Sequence, residues 1–431
     1  MAKLKSLFDT LWFRVLLGLV LGIAFGFAVG PVTAHGALGI DGKSFLTEYI
    51  RPVGTVFINL IKMVIVPLIF FSLISGIVSM TDAKAFRRIG LKSVAYYLTT
   101  GAFAVCIGLA FGHFFRPGLG VDLSALAAVA GTPAAPAAAL PPVNVISILV
   151  GTIPPNVVKA MAEDNILQVV VFALFVGITL NALGDKVRNL TAVFQQSATL
   201  VFRLIETVIR FSPYGVFALT AWMVGTQGLD ILFALFKLVC VVIGALFTQY
   251  LLFGLMLVAF GRLSPLPFYK KMLEPQLMAF STSSSKATLP VAMRVVNESI
   301  GVSKSNTAFV LPLGASINMD GTAIYLGITA LFFSQAYGIP LGPHQYFILV
   351  LTATLGSIGA AGIPSGSLFM MGMVFTSVGL PLDGIALIAG IDRILDMMRT
   401  TVNITGDSLI TLLVDKSEAT FNRQVYEDMS R

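Results

Sequence analysis

Between Pro52 and Met80 the chain carries a single charged side chain, Lys62, and Pro67 also lies inside the run. Written as a helix, this run is about 44 Å long at 1.5 Å per residue. The hydrocarbon core of a bilayer is about 30 Å thick, so a helix here has to tilt or break. Composition extends the constraint to the whole chain. Its 431 residues are 56% hydrophobic and only 11% charged, with a mean hydropathy of +0.90. Soluble domains carry about 25% charged residues, so the chain reads as an all-α integral membrane protein. The apolar stretches are long and do not alternate in short segments, which favours helices over an outer-membrane barrel.

The net charge of +7 is spread over short loops, which suits the cytoplasmic side of a bilayer and not nucleic acid. Cys106 and Cys240 both lie in apolar runs, so no disulfide framework is expected. Near the N-terminus, Lys3, Lys5 and Arg14 precede an apolar run from Val15 to Val32. A cleavable signal peptide is the competing reading, but the run exceeds the usual length of about 7–15 residues. Gly18, Gly22, Gly26 and Gly30 recur there at i, i+4 spacing, which lets a neighbouring helix approach closely.

Further along, Lys84, Arg87, Arg88 and Lys92 form a basic loop. A third span runs from about Ser93 to Phe115 and includes polar Tyr96 to Thr100. An Ala/Pro/Gly-rich segment to about Pro142 reads as a mobile external loop. The fourth apolar region, Val145 to Leu183, is interrupted at Pro154-Pro155 and Glu163-Asp164-Asn165, which predicts two or three short helices. The fifth span is about Thr191 to Val224, kinked at Pro213-Tyr214-Gly215, and the sixth is about Leu232 to Phe260. With a cytoplasmic N-terminus, the basic clusters at Lys84–Lys92, Lys186–Arg188 and Arg262–Lys271 fall on one side of the membrane.

Beyond Pro265 the pattern changes. Pro265 to Ile300 has two short apolar arms joined by Ser281-Thr282-Ser283-Ser284-Ser285-Lys286, the form of a re-entrant hairpin. A span from about Ala308 to Tyr337 carries Asn318-Met319-Asp320-Gly321-Thr322 at mid-depth. Gln345 to Val378 repeats the hairpin form around a small-residue tip, Gly356 to Ser367. The expected fold is therefore eight transmembrane helices plus two opposed re-entrant hairpins. Such an inverted repeat with broken helices points to a secondary transporter's binding site.

The last helix poses the sharpest conflict. Asp392, Asp396, Arg399, Asn403 and Asp407 fall within an arc of roughly 80° on one helix face. Apolar sequence flanks them, yet a charge at mid-membrane costs about 2.5–3.5 kcal/mol on insertion scales. Such a stripe is expected to face a protein-lined, hydrated cavity and bind something charged; a soluble amphipathic helix is excluded by the composition. Arg399 offers a planar fork for a carboxylate. Asp396, one turn earlier on the same face, can accept an ammonium. Small-residue tips expose backbone N–H groups that favour anions, and carbonyls freed at an Asn-Met-Asp break suit sodium. Together they describe an acidic amino acid as ligand, with Asp320 and Asp407 left for sodium ions.

Plainer readings exist for each element. Asp396 and Arg399 form an i, i+3 ion pair on any helix, and the serine run suits any hairpin tip. Lys62, Lys237 and Arg51 suit interface positions. His35, His113 and His344 lack metal-ligand spacing, and Met370, Met371 and Met373 suit packing. Asp392 is left as a tether between the last helix and a hairpin, and Arg393 has no assigned role. A Ser285/Lys286 hydrolase is the alternative from another class. Adjacent residues rarely present both side chains to one site, so a transporter and not an enzyme is expected.

Four motifs carry a resemblance. Ser283-Ser284-Ser285 with Thr288-Leu289-Pro290, Asn318 to Thr322, Gly362-Ile363-Pro364, and Asp396 to Asn403 with Gly406-Asp407 resemble the glutamate/aspartate and dicarboxylate–cation symporter family. The likeness covers essentially the whole chain, in order. It implies a homotrimer in a bacterial inner (plasma) membrane, in which a transport domain slides like an elevator against a trimeric scaffold. By position it implies scaffold helices one and two in 1–88, transport-domain helix three in 89–116, and a flexible external loop in 117–143. Scaffold helices four and five follow in 144–225, and the remaining transport domain with its cytoplasmic tail in 226–431. It implies that Arg399 binds the substrate's side-chain carboxylate and Asp396 its amino group. Ser283, Ser284, Ser285, Thr322, Ile363, Pro364, Thr400 and Asn403 would complete the pocket. Three sodium sets are implied: Asp407 with Gly314, Asn318 and Asn403; Asp320 with Asn318, Tyr97 and Thr100; and Ser316 with Ser357, Ile358 and Ala360.

Departures from the family pattern sharpen the expectation. Ser283 stands where archaeal relatives have an arginine, and Lys286 replaces a small residue. Leu326 stands where animal members carry a proton-linked glutamate, which argues against their proton and potassium coupling. Asp407, asparagine in members thought to run on protons alone, favours sodium. Gly101 replaces a common serine ligand beside Asp320. The resulting expectation is sodium-coupled uptake of aspartate and/or glutamate. A four-carbon dicarboxylate symporter driven by sodium or protons is the rival.

Overall fold

Unbroken apolar sequence folds as helix throughout, and no strand occurs among the described residues. The structure, a computed structural model, describes residues 11–30, 41–78, 86–121, 123, 150–151, 153–163, 165–227, 230–359, 365–382 and 384–429. The first half comprises α1 (Leu11–Val29), α2 (Arg51–Val78), α3 (Phe86–Phe115), α4 (Val157–Ala162) and α5 (Ile166–Leu183). It continues through α6 (Arg188–Ile209), α7 (Ser212–Gln227) and α8 (Asp230–Met256). The second half is α9 (Pro265–Lys271), α10 (Leu273–Thr282), α11 (Ser285–Glu298), α12 (Lys304–Ile317) and α13 (Asp320–Ala336). It closes with α14 (Pro343–Gly359), α15 (Gly366–Ser377), α16 (Ile385–Ser417) and α17 (Arg423–Glu427). Among the described residues, three helices are long and apolar enough by themselves to cross a membrane: Gly42–Ser75, Arg88–Phe115 and Leu232–Gly261. Most of the external loop expected at 117–143 lies outside the described residues.

The run that opens the sequence argument is not broken: α2 continues through Pro67. The expected fifth span differs more. It is two helices, α6 and α7, interrupted at Arg210-Phe211 ahead of the anticipated kink. Pro213 explains the position, because it has no N–H and is tolerated in a helix's first turn. A new helix therefore starts at Ser212.

The glycine spacing of α1 is used in full against α7. A Cβ at Gly18, Gly22, Gly26 or Gly30 would lie 2.5, 2.7, 2.3 or 2.3 Å from the carbonyl oxygens of Pro213, Phe217, Ala221 and Gly225. Hydrogen is the only substituent that fits. Gly26→Leu is therefore expected to destabilise the purified protein by at least the roughly 1–3 kcal/mol of an overpacked core. Phe27→Leu, at a 61% exposed position, should leave the melting temperature in place. A Gly26→Leu melt matching the wild type would contradict the α1–α7 packing.

Two sets of helices pack mainly among themselves. α2 contacts α5, α6 and α7, and α1 lies on α7. α16 contacts α8, α10, α12 and α13, while α3 lies along α13. The two sets meet where α7 and α1 touch α16 and where α2 touches α14 and α15.

Over the two stretches expected as hairpins the chain forms helix pairs, α10–α11 and α14–α15, packed arm to arm. Ser283, between α10 and α11, and Ser365, immediately ahead of α15, both lie in the left-handed region, at φ +52° and φ +57°. Ser284 then caps α11 by accepting from the Ala287 N–H (3.2 Å). The anticipated break at Asn318-Met319 separates α12 from α13, with Asn318 extended. It places the Asp320 carboxylate in the first turn of α13, where the helix dipole favours negative charge.

At the far end of α16 the tail is laced to the first hairpin's base. Asp415 accepts from Ser303 N (3.2 Å) and from Asn306 Nδ2 (2.6 Å). Lys271 Nζ donates to the carbonyls of Ser299, Val425 and Tyr426 at 2.9, 2.8 and 2.9 Å. Lys92 and Arg88 bond the Glu418 carboxylate and hold its pKa below the usual carboxylate range.

Candidate functional site

Helix α16 delivers the polar stripe into the interior. Asp392, Arg399 and Asp407 are 0% exposed, and Asn403 and Asp396 are 3% and 6% exposed. Helical side chains lean toward the N-terminus, so Arg399 reaches back along its own face. Its Nη2 donates to Asp396 Oδ1 at 2.9 Å and to Asp392 Oδ1 at 2.8 Å. Its guanidinium lies over the Tyr325 ring of α13, 3.9 Å from the centroid. Nε and Nη1 of Arg399 have no hydrogen-bond partner. One guanidinium thus balances one of two carboxylates and keeps donors free.

The second hairpin is fastened to those carboxylates. Ser365 N donates to Asp396 Oδ2 (2.9 Å), and Ser367 Oγ donates to Asp392 Oδ1 (3.2 Å). Asp392 thus bonds both α15 and Arg399. The first hairpin brings Ser283 and Ser285, 2% and 1% exposed, whose hydroxyls have no partner. Lys286 instead lies over the Phe202 ring of α6 at 5.0 Å. The serine and lysine of the hydrolase alternative therefore face different surroundings.

The start of α13 presses directly on α16. A Cβ at Gly321 would sit 2.7 Å from the Arg399 carbonyl oxygen. The Gly321 N–H donates to Asn403 Oδ1 (2.8 Å), and Thr400 Oγ1 donates to the Asp396 carbonyl (2.8 Å). Thr322 is 5% exposed, within the same first turn of α13. Ile363 and Pro364 lie outside the described residues.

Two buried carboxylates sit deeper. Asp407 Oδ1 accepts from Asn318 Nδ2 (3.0 Å), while its Oδ2 has no partner. A Cβ at Gly314 would lie 2.9 Å from Asp407 Oδ1 and 2.7 Å from the Tyr97 hydroxyl, so glycine brings these three together. Tyr97 itself donates to the Val310 carbonyl (3.0 Å). Asp320 Oδ2 accepts from Gln249 Nε2 (3.2 Å), and its Oδ1 has no partner. Thr100 donates to Asn318 Oδ1 at 3.3 Å, joining α3 to the break. A buried, ionised carboxylate with an unused oxygen is costly unless paired. The unused carboxylate oxygen of each suits a hard monovalent cation. The third expected set is less assembled: Ser316 and Ser357 donate to their own helices' carbonyls at Pro312 and Thr354. Ala360 and the Ile358 side chain lie outside the described residues.

The profile of the sodium:dicarboxylate symporter family matches residues 11–417. The chain belongs to the sodium:dicarboxylate symporter family. It is 35% identical to the proton/glutamate-aspartate symporter of Escherichia coli (strain K12), over 98% of this chain and 96% of that protein. It is 32% identical to the proton/sodium-glutamate symport protein of Geobacillus stearothermophilus, over 95% of each. A C4-dicarboxylate transport protein of Aeromonas salmonicida (strain A449) is 33% identical over 95% of this chain and 93% of its own. As a member of this symporter family the chain is a multi-pass membrane transporter.

Within this symporter the sequence singles out neither Gln249 nor Tyr325 at the site, and Ser365 and Ser367 only as part of the Gly356 to Ser367 tip. Gln249 is the most legible of them, a lone amide in the apolar middle of α8. Tyr325 follows Thr322 at i+3, a spacing that shares its face. The two serines look like ordinary hairpin polarity until α16 is placed beside them.

Proposed function

We propose that the chain imports acidic amino acids, aspartate and/or glutamate, on a sodium gradient. The observation that carries this reading is the pairing at Arg399 and Asp396. A buried guanidinium with two unpartnered nitrogens, Nε and Nη1, sits one helical turn from a carboxylate. That arrangement is complementary to a ligand with a side-chain carboxylate and an ammonium. Ser283, Ser284, Ser285, Thr322, Thr400 and Asn403 form the rest of the pocket in this reading, with Ile363 and Pro364 from the second hairpin. The unpartnered oxygens of Asp407 and Asp320 support sodium as the coupling ion, and relatives named for glutamate symport support the substrate class.

The same reading includes eight membrane-crossing helices, two opposed hairpins, a homotrimer and a cytoplasmic N-terminus in a bacterial inner membrane. In it α1, α2 and α4–α7 form a scaffold, and α3 with α8–α16 slides past it as an elevator. The separate packing of these two sets supports the division.

A four-carbon dicarboxylate is the second reading, and one observation favours it. Asp396 Oδ2 is already bonded to Ser365 N, so it does not require an amine. The relative in Aeromonas salmonicida carries a name of that kind. Uptake of labelled L-aspartate into proteoliposomes separates the possibilities. Accumulation should collapse when the sodium gradient is removed, and full uptake on a proton gradient alone would reject sodium coupling. Succinate outcompeting both amino acids would favour the second reading.

A further inference from the structure

Helix α8 is apolar across its middle, and its polar side chains there have evident structural partners, with one exception. Lys237 donates to the Arg116 carbonyl and Thr248 to the Gly244 carbonyl. Tyr250 shares hydrogen bonds with Gln276 of the first hairpin. Gln249, 2% exposed, instead directs Nε2 to Asp320 Oδ2 at 3.2 Å and leaves Oε1 with no partner. A buried amide in a membrane helix with half its hydrogen bonding unused is unfavourable and points to function.

The carboxylate it touches has the matching deficiency. Asp320 is 0% exposed, and its Oδ1 has no partner. A neutral amide cannot balance its charge, but it can fix its orientation. Rotation about a carboxylate's last torsion is soft, so hydrogen bonds decide which oxygen faces which way. Anchoring Oδ2 on α8 leaves Oδ1 toward α3, where a Cβ at Gly101 would lie 3.9 Å from it and 3.6 Å from Thr354 Cγ2. Position 101 has no side chain of its own to orient or complete the site. The amide comes from the opposite side.

We propose that Gln249 is a positioning residue for the sodium ion at Asp320, holding the carboxylate by Oδ2 so that Oδ1 meets the ion. This rests on the sodium-symport reading above. In this chain the amide of α8 does the orienting that a hydroxyl at position 101 could otherwise perform.

The test uses sodium alone as probe. The full-length purified protein is melted over a NaCl series held at constant ionic strength with choline chloride, and the sodium concentration giving half the stabilisation is read. Gln249→Met keeps the side-chain length and removes both polar atoms. It should raise that midpoint about tenfold. Adding Gly101→Ser to it should bring the midpoint back to within about threefold of wild type. A Gln249→Met midpoint equal to wild type overturns the assignment. Should that variant not fold, Gly101→Ser in the native chain decides. A midpoint lowered threefold or more supports the proposal, and an unchanged one overturns it. A wild type indifferent to sodium sinks the symport reading and this inference together. A responsive wild type with a Gln249→Met midpoint no different from it sinks the inference alone.

Discussion

Arg399→Cys should weaken aspartate binding by about thirtyfold to a few thousandfold and leave the folded protein recoverable. Truncating one partner of a buried, hydrogen-bonded charge pair costs about 2–5 kcal/mol or more, and each 1.4 kcal/mol or so is a factor of ten. The guanidinium is the cation placed against both Asp392 and Asp396, so its loss also leaves two buried carboxylates facing each other. An incoming carboxylate would then meet net negative charge where it now meets the free N–H donors of Nε and Nη1. Neutral amino acids lack that carboxylate, and the shorter, uncharged side chain should admit serine or alanine. Arg399→Lys should fall between the two, because it keeps the charge and loses the planar fork. Calorimetric titration with aspartate and serine checks both directions, and an unchanged aspartate affinity sinks the assignment of Arg399.

Asp396→Ser should lower aspartate transport at least a hundredfold while succinate transport falls far less. Two effects are combined in this substitution, and the ratio separates them. Loss of the Ser365 N to Asp396 Oδ2 bond loosens the second hairpin for every substrate alike. Loss of the carboxylate removes an ammonium partner, which matters only to an amino acid. Uptake rates for labelled aspartate and succinate, measured in the same proteoliposome preparation, give the ratio directly. Equal losses would favour a four-carbon dicarboxylate as the natural substrate.

How much of this was legible depended on the distance over which each feature is encoded. The hairpins α10–α11 and α14–α15 and the break at Asn318-Met319 are local. Arm length, small-residue tips and an Asn-Met-Asp interruption are written in consecutive residues. The buried face of α16 is also local, since helical period alone collects Asp392 to Asp407. Its internal wiring is less so. Asp392 and Arg399 are seven residues apart, about 10.5 Å along the axis, and meet because a long side chain leans back two turns. Gln249 and Asp320 are farther still, on helices whose adjacency no spacing in the sequence announces. The division of one expected span into α6 and α7 was misplaced for a different reason. Proline marks a helix's first turn as well as its kink, and only the structure distinguishes the two.

The contact between α1 and α7 has a mechanical consequence. Gly18, Gly22 and Gly26 of α1, with Gly30 just past its end, meet four carbonyl oxygens of α7 on successive turns, each at a separation that admits no methyl group. A slip along the axis by less than one glycine interval would bring residues with side chains against those oxygens. The pair is therefore locked in register, like meshed teeth, and behaves as a single beam. α16 touches both members of that beam. Any travel of the helix bearing Arg399 and Asp407 must then be accommodated along the face of α16, while the beam itself keeps its length and pitch.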